Sequence, residues 1–232
     1  MTLEGLVFGG IGSLSDCAQV DHNAWNKAFR THGVGWNWSW EDYAQLMRAG
    51  GDRQLVARHA LECGEICSVP AEVLDATHQK IFASMMTHEV PLRPGVARVL
   101  NWSVRAGVKL SFVSRAGQEP VRALLRSTAR ARAGIAFDAA IVREDVSRMA
   151  PHPEAMERMI EALDVGRERI MVVADTPATA QAAQSAGLAV LAFPGLIAAA
   201  EPGDFGQLPS VKVLSPESII EAWQGGLETA AE

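Results

Sequence analysis

The sequence predicts an α/β protein: a doubly wound parallel sheet with a helical cap domain inserted after the first strand. Short apolar runs recur along the chain, and each is separated from the next by a helix-forming stretch. This alternation is typical of parallel strands joined by right-handed crossovers. The first run ends near Phe8 and the second begins only at about Val108, a separation far longer than one crossover needs.

Six apolar runs are the candidate strands. A weaker one lies at residues 211–214, and the five strong ones lie at residues 6–8, 108–113, 139–142, 170–173 and 189–193. The stretches between them predict helices at residues 96–106, 120–131, 153–163 and 178–186. Gly107 and Gly187 come directly after two of these helices, where a left-handed C-cap is expected.

The long stretch after the first strand, residues 16–92, contains no strong strand pattern. We expect it to form the helical cap, and residues 1–15 and 93–232 to form the sheet-containing core. Ser39 is a candidate N-cap within the cap, because acidic residues follow it in the first turn of the helix that it would begin.

Three indoles, Trp36, Trp38 and Trp40, lie close together in this stretch. They either pack the cap or meet a protein partner. The sequence leaves both interpretations open.

The composition argues against several classes of protein. The chain has 232 residues and a formal net charge of -6, which does not favour nucleic-acid binding through phosphate contacts. Three cysteines are too few for a disulfide scaffold and fit a reducing compartment. The longest uncharged stretch, residues 176–200, contains prolines and glycines and predicts a helix, a turn and a buried strand rather than a membrane span. We therefore expect a cytoplasmic protein that binds neither membranes nor nucleic acids.

Glycines follow the first strand, at the edge of the sheet where ligands bind in this class of fold. Gly10 and Gly12 begin a G-x-G-x-x-G pattern, but Ser15 stands at the third glycine position and no G-K-S/T element is present. A dinucleotide or Walker-type site is therefore not supported. A turn that leads from the strand into the insertion is the better interpretation.

Five short segments and one serine along the chain form a recognisable series of motifs. The serine is Ser114, which follows the second strand. The segments are F-G-G-I-G-S-L-S-D-C at 8–17, G-G-D-R at 50–53, L-R-P-G-V at 92–96, A-P-H-P at 150–153 and A-D-T-P-A-T-A-Q-A-A-Q-S-A-G at 174–187. Together they resemble the haloacid dehalogenase superfamily, most closely its phosphoglycolate phosphatase and β-phosphoglucomutase type. The family's matching motifs are F-D-x-D-G-T-L-x-D-S, G-x-x-R, L-x-P-G-V, K-P-x-P and E-D-S/T-x-x-G-x-x-A-A-x-x-A-G.

The resemblance implies that this chain has replaced most of the family's catalytic residues. Gly9 stands at the position of the nucleophilic Asp, Ile11 at the acid/base Asp, Ala150 at the Lys, and Ala174 at the first acid of the last motif. Glycine offers no nucleophile and isoleucine transfers no proton. We predict a non-catalytic member that binds a small phosphorylated or anionic metabolite, or a protein partner. The alternative is an active phosphatase or phosphomutase-type hydrolase with a rearranged site.

No catalytic residue is predicted, but several side chains remain candidates for binding. Ser13, Arg53, Ser114 and Arg115 are the candidate anion contacts. Asp175 stands at the position of a family magnesium ligand, and one carboxylate is a weak magnesium site without a substrate phosphate. The other interpretation of Asp175 is a cap for the following helix. We therefore expect no cofactor, and magnesium only if the alternative function holds.

Overall fold

A five-stranded parallel sheet lies at the centre of the computed structural model, which describes residues 1–48, 55–64, 67–87, 90–131, 135–197 and 205–229. The strand order is β3-β2-β1-β4-β5, and every pair of neighbouring strands is parallel. The predicted α/β class is therefore confirmed. The strands are β1 (Gly5–Gly9), β2 (Lys109–Val113), β3 (Ala139–Ile141), β4 (Ile170–Ala174) and β5 (Ala189–Ala192).

Helices cover both faces of the sheet, as a doubly wound fold requires. They are α1 (Ala18–Thr31), α2 (Trp40–Arg48), α3 (Leu55–Cys63), α4 (Ala71–Met86), α5 (Val96–Ala106), α6 (Gln118–Ala131), α7 (Glu154–Leu163), α8 (Pro177–Ser185) and α9 (Pro216–Thr229). Side chains of α5, α6 and α9 share a core with Phe8 and Phe112, whereas those of α7 and α8 share one with Val7 and Val172. Because successive strand residues point to opposite faces, one strand supplies both cores.

The strand register brings three strand ends to one place. Gly9, the last residue of β1, is paired with Val113 of β2 and with Ala174 of β4. The residues that follow these strands therefore leave the sheet side by side at its carboxyl edge. The predicted C-caps are also present, since Gly107 and Gly187 have φ angles of 70° and 72°.

The four helices α1 to α4, called the inserted helices below, lie between β1 and α5 in the chain. Ser39 caps α2 as predicted: its Oγ accepts a hydrogen bond from the Asp42 backbone N–H at 3.1 Å. Trp38 is fully buried, and Trp36 and Trp40 are half-buried against the same cluster. These indoles therefore pack the inserted helices. The division into a cap at residues 16–92 and a core stays a prediction.

The predicted sixth strand is wrong. Residues 211–214 form no strand, and the chain meets β5 only through a single bridge between Ala192 and Ser210. It then turns away, and the Leu214 N–H donates to the Pro94 carbonyl at 3.1 Å. The Val211 N–H donates to the Ala192 carbonyl of β5 at 3.0 Å, but Leu214 is bonded to the segment before α5, so the run does not continue along the sheet.

The long uncharged stretch contains α8 and the buried strand β5 over its described part. The prediction of a helix followed by a buried strand is therefore confirmed. Among the helices that the structure describes, none combines the length and the apolar character that crossing a membrane would need.

Candidate functional site

A cavity of about 210 Å³ lies between the carboxyl edge of the sheet and the inserted helices. The loops after β1, β2 and β4 form its sheet side. The residues of these loops that line the cavity include Gly10, Ile11, Gly12, Ser114, Arg115 and Asp175.

Asp175 is the buried polar group at the base of the cavity, with 8% of its surface exposed. Its Oδ2 accepts a hydrogen bond from the Gly12 N–H at 2.9 Å, whereas Oδ1 is buried without a hydrogen-bond partner among the described residues. The carboxylate lies directly over Gly10, where a Cβ atom would be 2.1 Å from Oδ1. Gly10 also has a φ of 93°, so only glycine suits this position.

The electrostatics at Asp175 combine burial with nearby positive charge. Burial raises the pKa of Asp175 to about 6, while the charge of Arg115, the Gly12 N–H and the charge of Arg93 act in the opposite direction. Arg115 is thus the cation that most favours the ionised carboxylate.

Arg93 is a site residue that the sequence analysis missed. Its Nη1 donates to the carbonyls of Gly12 at 2.6 Å and Phe193 at 2.9 Å, and its Nη2 donates to that of Pro194 at 2.8 Å. The guanidinium also lies 3.5 Å above the Phe193 ring. Arg93 therefore ties the loop after β1 to the loop after β5. The only available signal was an arginine at the variable position of the L-x-P-G-V motif.

Thr179 lies beside Gly9 at the end of β1. A Cβ atom at Gly9 would be 2.5 Å from Thr179 Cγ2. In the sequence, Thr179 stands where the last family motif has its glycine. Where the family motifs have Asp on the strand and Gly on the helix, this chain has Gly9 and Thr179.

The donor set around Asp175 does not fit a magnesium ion. Within the described ranges, no group of three or more His, Cys, Asp or Glu side chains is placed to hold a metal. Magnesium needs near-octahedral oxygen coordination, but one oxygen of this lone carboxylate is already bonded to the Gly12 N–H. The predicted absence of a metal cofactor stays a prediction.

The predicted anion contacts lie in different places relative to the cavity. Ser114 is buried at the cavity; its Oγ accepts a hydrogen bond from the Ala116 N–H at 3.1 Å, which leaves its hydroxyl hydrogen available to a ligand. Arg115 is half-buried at the same wall. Ser13 is not brought to the cavity: it is fully buried and donates to the Gly10 carbonyl at 2.7 Å. Arg53 lies outside the described residues.

Comparison with known proteins identifies the family. The sequence model of the haloacid dehalogenase-like hydrolase family matches residues 12–187 of this chain. The chain belongs to this family. Similar relatives include Protein CbbY of Cereibacter sphaeroides, 29% identical over 195 residues that cover 83% of this chain and 85% of the relative. Protein CbbY of Rhodobacter capsulatus is 28% identical over 196 residues, which cover 84% and 86%.

A solved structure of CbbY shows the same fold. A mutant of CbbY from Rhodobacter sphaeroides, in complex with xylulose-1,5-bisphosphate, superposes with a TM-score of 0.82 at 24% sequence identity. The match covers 94% of this chain and 99% of that one. The superposition confirms the fold, and the match to the family model confirms the family that the motifs of the sequence resemble.

Proposed function

We propose that this chain is a non-catalytic haloacid dehalogenase-like protein that binds a small anion in its cavity. One observation carries the proposal: Thr179 fills the space beside Gly9, where the family motif places the side chain of its nucleophile. No carboxylate extends from the end of β1 to attack phosphorus.

The other replacements point the same way. Ile11 and Ala150 line the cavity at the positions of the family's acid/base Asp and Lys, and neither transfers a proton nor balances a phosphoryl charge. Loss of one member of a catalytic unit costs roughly 10⁴- to 10⁶-fold in kcat. With several members replaced together, turnover by the family mechanism is not expected.

Anion binding is supported by the groups that remain. The Ser114 hydroxyl and the Arg115 guanidinium line the same wall, and a guanidinium is a strong partner for phosphate or carboxylate. The helix α6 begins at Gln118, just after this loop, so its N-terminal dipole adds positive potential there. The CbbY structure in complex with a phosphorylated sugar is consistent with a small phosphorylated ligand for this chain.

Two measurements on the same protein test the proposal. We expect no hydrolysis of 4-nitrophenyl phosphate above buffer in magnesium, and stabilisation against heat by inorganic phosphate in EDTA. A ligand at 100 times its Kd stabilises by about 2.7 kcal/mol. Arg115→Gln should remove this effect, whereas Arg122→Gln, an exposed change on α6, should not. Magnesium-dependent turnover that is lost in Asp175→Asn would instead support the active hydrolase.

A further inference from the structure

We propose that the cavity selects an anion carried on an apolar, aromatic or alkyl body, and not a hydroxyl-rich sugar phosphate. This inference rests on the proposed function and specifies its ligand class. It depends on what faces the ligand beyond its anionic group: an apolar wall, and polar side chains whose bonding atoms are mostly already paired.

The part of the cavity beyond Ser114 and Arg115 is largely apolar. Side chains from the loops after β1 and β5, from α2, α3 and α4, and from the segment before α7 all contribute. They include Ile11, Met47, Leu55, Phe82, Met149 and Ile197. Apolar surface of this kind is stabilised by burial against an apolar ligand and gains nothing from hydroxyl groups.

Each oxygen of the Asp21 carboxylate on this wall already has one hydrogen-bonding partner. Its Oδ2 accepts a hydrogen bond from the Tyr43 hydroxyl at 2.7 Å, and its Oδ1 lies 2.8 Å from His78 Nε2. Trp25 stacks on His78 with a centroid distance of 4.0 Å and an interplanar angle of 8°, which holds the imidazole in place. Burial raises the pKa of Tyr43 well above its ordinary value, so the hydroxyl keeps its proton and its bond to Asp21.

A second group of polar side chains is paired in the same way. Both oxygens of Asp75 accept bonds from the Arg143 guanidinium, at 3.3 and 2.8 Å. The Gln79 Oε1 accepts a bond from the Gly117 N–H at 3.2 Å. Two buried atoms of the cavity lining have no hydrogen-bond partner among the described residues: the donor Arg143 Nε and the acceptor Asp175 Oδ1. This wall therefore suits a ligand body with one acceptor oxygen better than a body with many hydroxyls.

The energetic argument follows from these pairings. A sugar hydroxyl that enters this space gives up its bonds to water and finds few protein partners, and an unpaired buried hydroxyl costs free energy. A phenyl ring has no hydroxyl groups, so it loses no hydrogen bonds to water when it is buried here. The volume suffices for a ring, since a cavity of about 150 Å³ holds benzene and this one measures about 210 Å³.

Calorimetric titrations in EDTA with three ligands test this inference: inorganic phosphate, phenyl phosphate and ribose 5-phosphate. Burial of the ring should make phenyl phosphate bind at least about tenfold more tightly than inorganic phosphate. Ribose 5-phosphate should bind no more tightly than inorganic phosphate. Met47→Gln should remove most of the advantage of phenyl phosphate over inorganic phosphate. Met85→Gln, at a half-buried methionine outside the cavity lining, is the matched control.

The outcomes separate the two proposals. Ribose 5-phosphate that binds as tightly as phenyl phosphate overturns the ligand class and leaves anion binding intact. A phenyl advantage that is undiminished in Met47→Gln also overturns it, because Met47 is part of the apolar wall on which the ring is proposed to lie. If none of the three ligands binds, the proposed function fails and this inference fails with it.

Discussion

The Thr179 methyl group occupies the space that a side chain at Gly9 would need. The methyl group of Thr179 on α8 lies where a side chain on the last residue of β1 would begin, 2.5 Å from the position of a Cβ atom. The Thr179 hydroxyl is 2.8 Å from that of Thr176, the N-cap of the same helix. The methyl group is thus held against the strand by the helix cap.

This packing predicts a specific coupling. Gly9→Ala should destabilise the protein by about 1–3 kcal/mol because the new Cβ overlaps Thr179. Thr179→Ser removes only the overlapping methyl group and keeps the hydroxyl that bonds Thr176, so it should relieve most of that loss. Urea unfolding of the two single variants and the double variant measures the coupling. Simple additivity of the two changes would contradict the packing described here.

Recovery of catalysis should need several residues together. Gly9→Asp alone and Ile11→Asp alone should stay inactive, the first without an acid/base and the second without a nucleophile. A variant with Gly9→Asp, Ile11→Asp, Ala150→Lys and Thr179→Ser should hydrolyse an aryl phosphate detectably in magnesium. The measurement is kcat/KM. Robust turnover by either single variant would mean that the rest of the site is intact, against the proposed function.

Asp175 should make the protein less stable as the pH rises from about 4 to 6. Its folded pKa is about 6 and an unfolded Asp titrates near about 3.9, so the folded state binds more protons between these values. The free energy of unfolding should therefore rise on acidification through this range, by an amount on the order of 3 kcal/mol. Asp175→Asn should lack this component. If the free energy of unfolding changed with pH in the same way in the wild type and the variant, the raised pKa of Asp175 would be refuted.

Arg93 should stabilise the protein through the planar geometry of its guanidinium group and not only through its charge. Arg93→Lys keeps the charge but cannot reach three carbonyls with a planar fork, so a loss of about 2–3 kcal/mol is expected. Arg98→Lys is the control, because Arg98 pairs with Glu217 on the surface, with both side chains more than half exposed, and should change stability by less than about 0.5 kcal/mol. Equal effects in thermal unfolding would show that the carbonyl contacts of Arg93 contribute little.

The fold class, the five strands of the sheet and the residues at their carboxyl ends could all be predicted from the sequence. These features follow from local patterns: apolar runs, helical periods and glycines after helices are all read within a few residues. The edge at which Ser114 and Asp175 meet follows as well, because parallel strands all end on the same side. The weak run at residues 211–214 satisfies the same local pattern and is not a strand, because after the bond from Val211 to Ala192 of β5 the chain turns away and Leu214 bonds to Pro94.

The contacts between atoms within the site could not be predicted from the sequence. The overlap of Thr179 with the space at Gly9, the three carbonyl bonds of Arg93 and the bonds of Asp21 to Tyr43 and His78 join residues that are distant in the chain. No local pattern encodes such pairings, because they depend on ångström-scale distances set by the packing of the inserted helices against the sheet. Those distances also determine that the polar groups of the cavity wall are largely bonded to one another, and hence the kind of ligand the cavity is proposed to take.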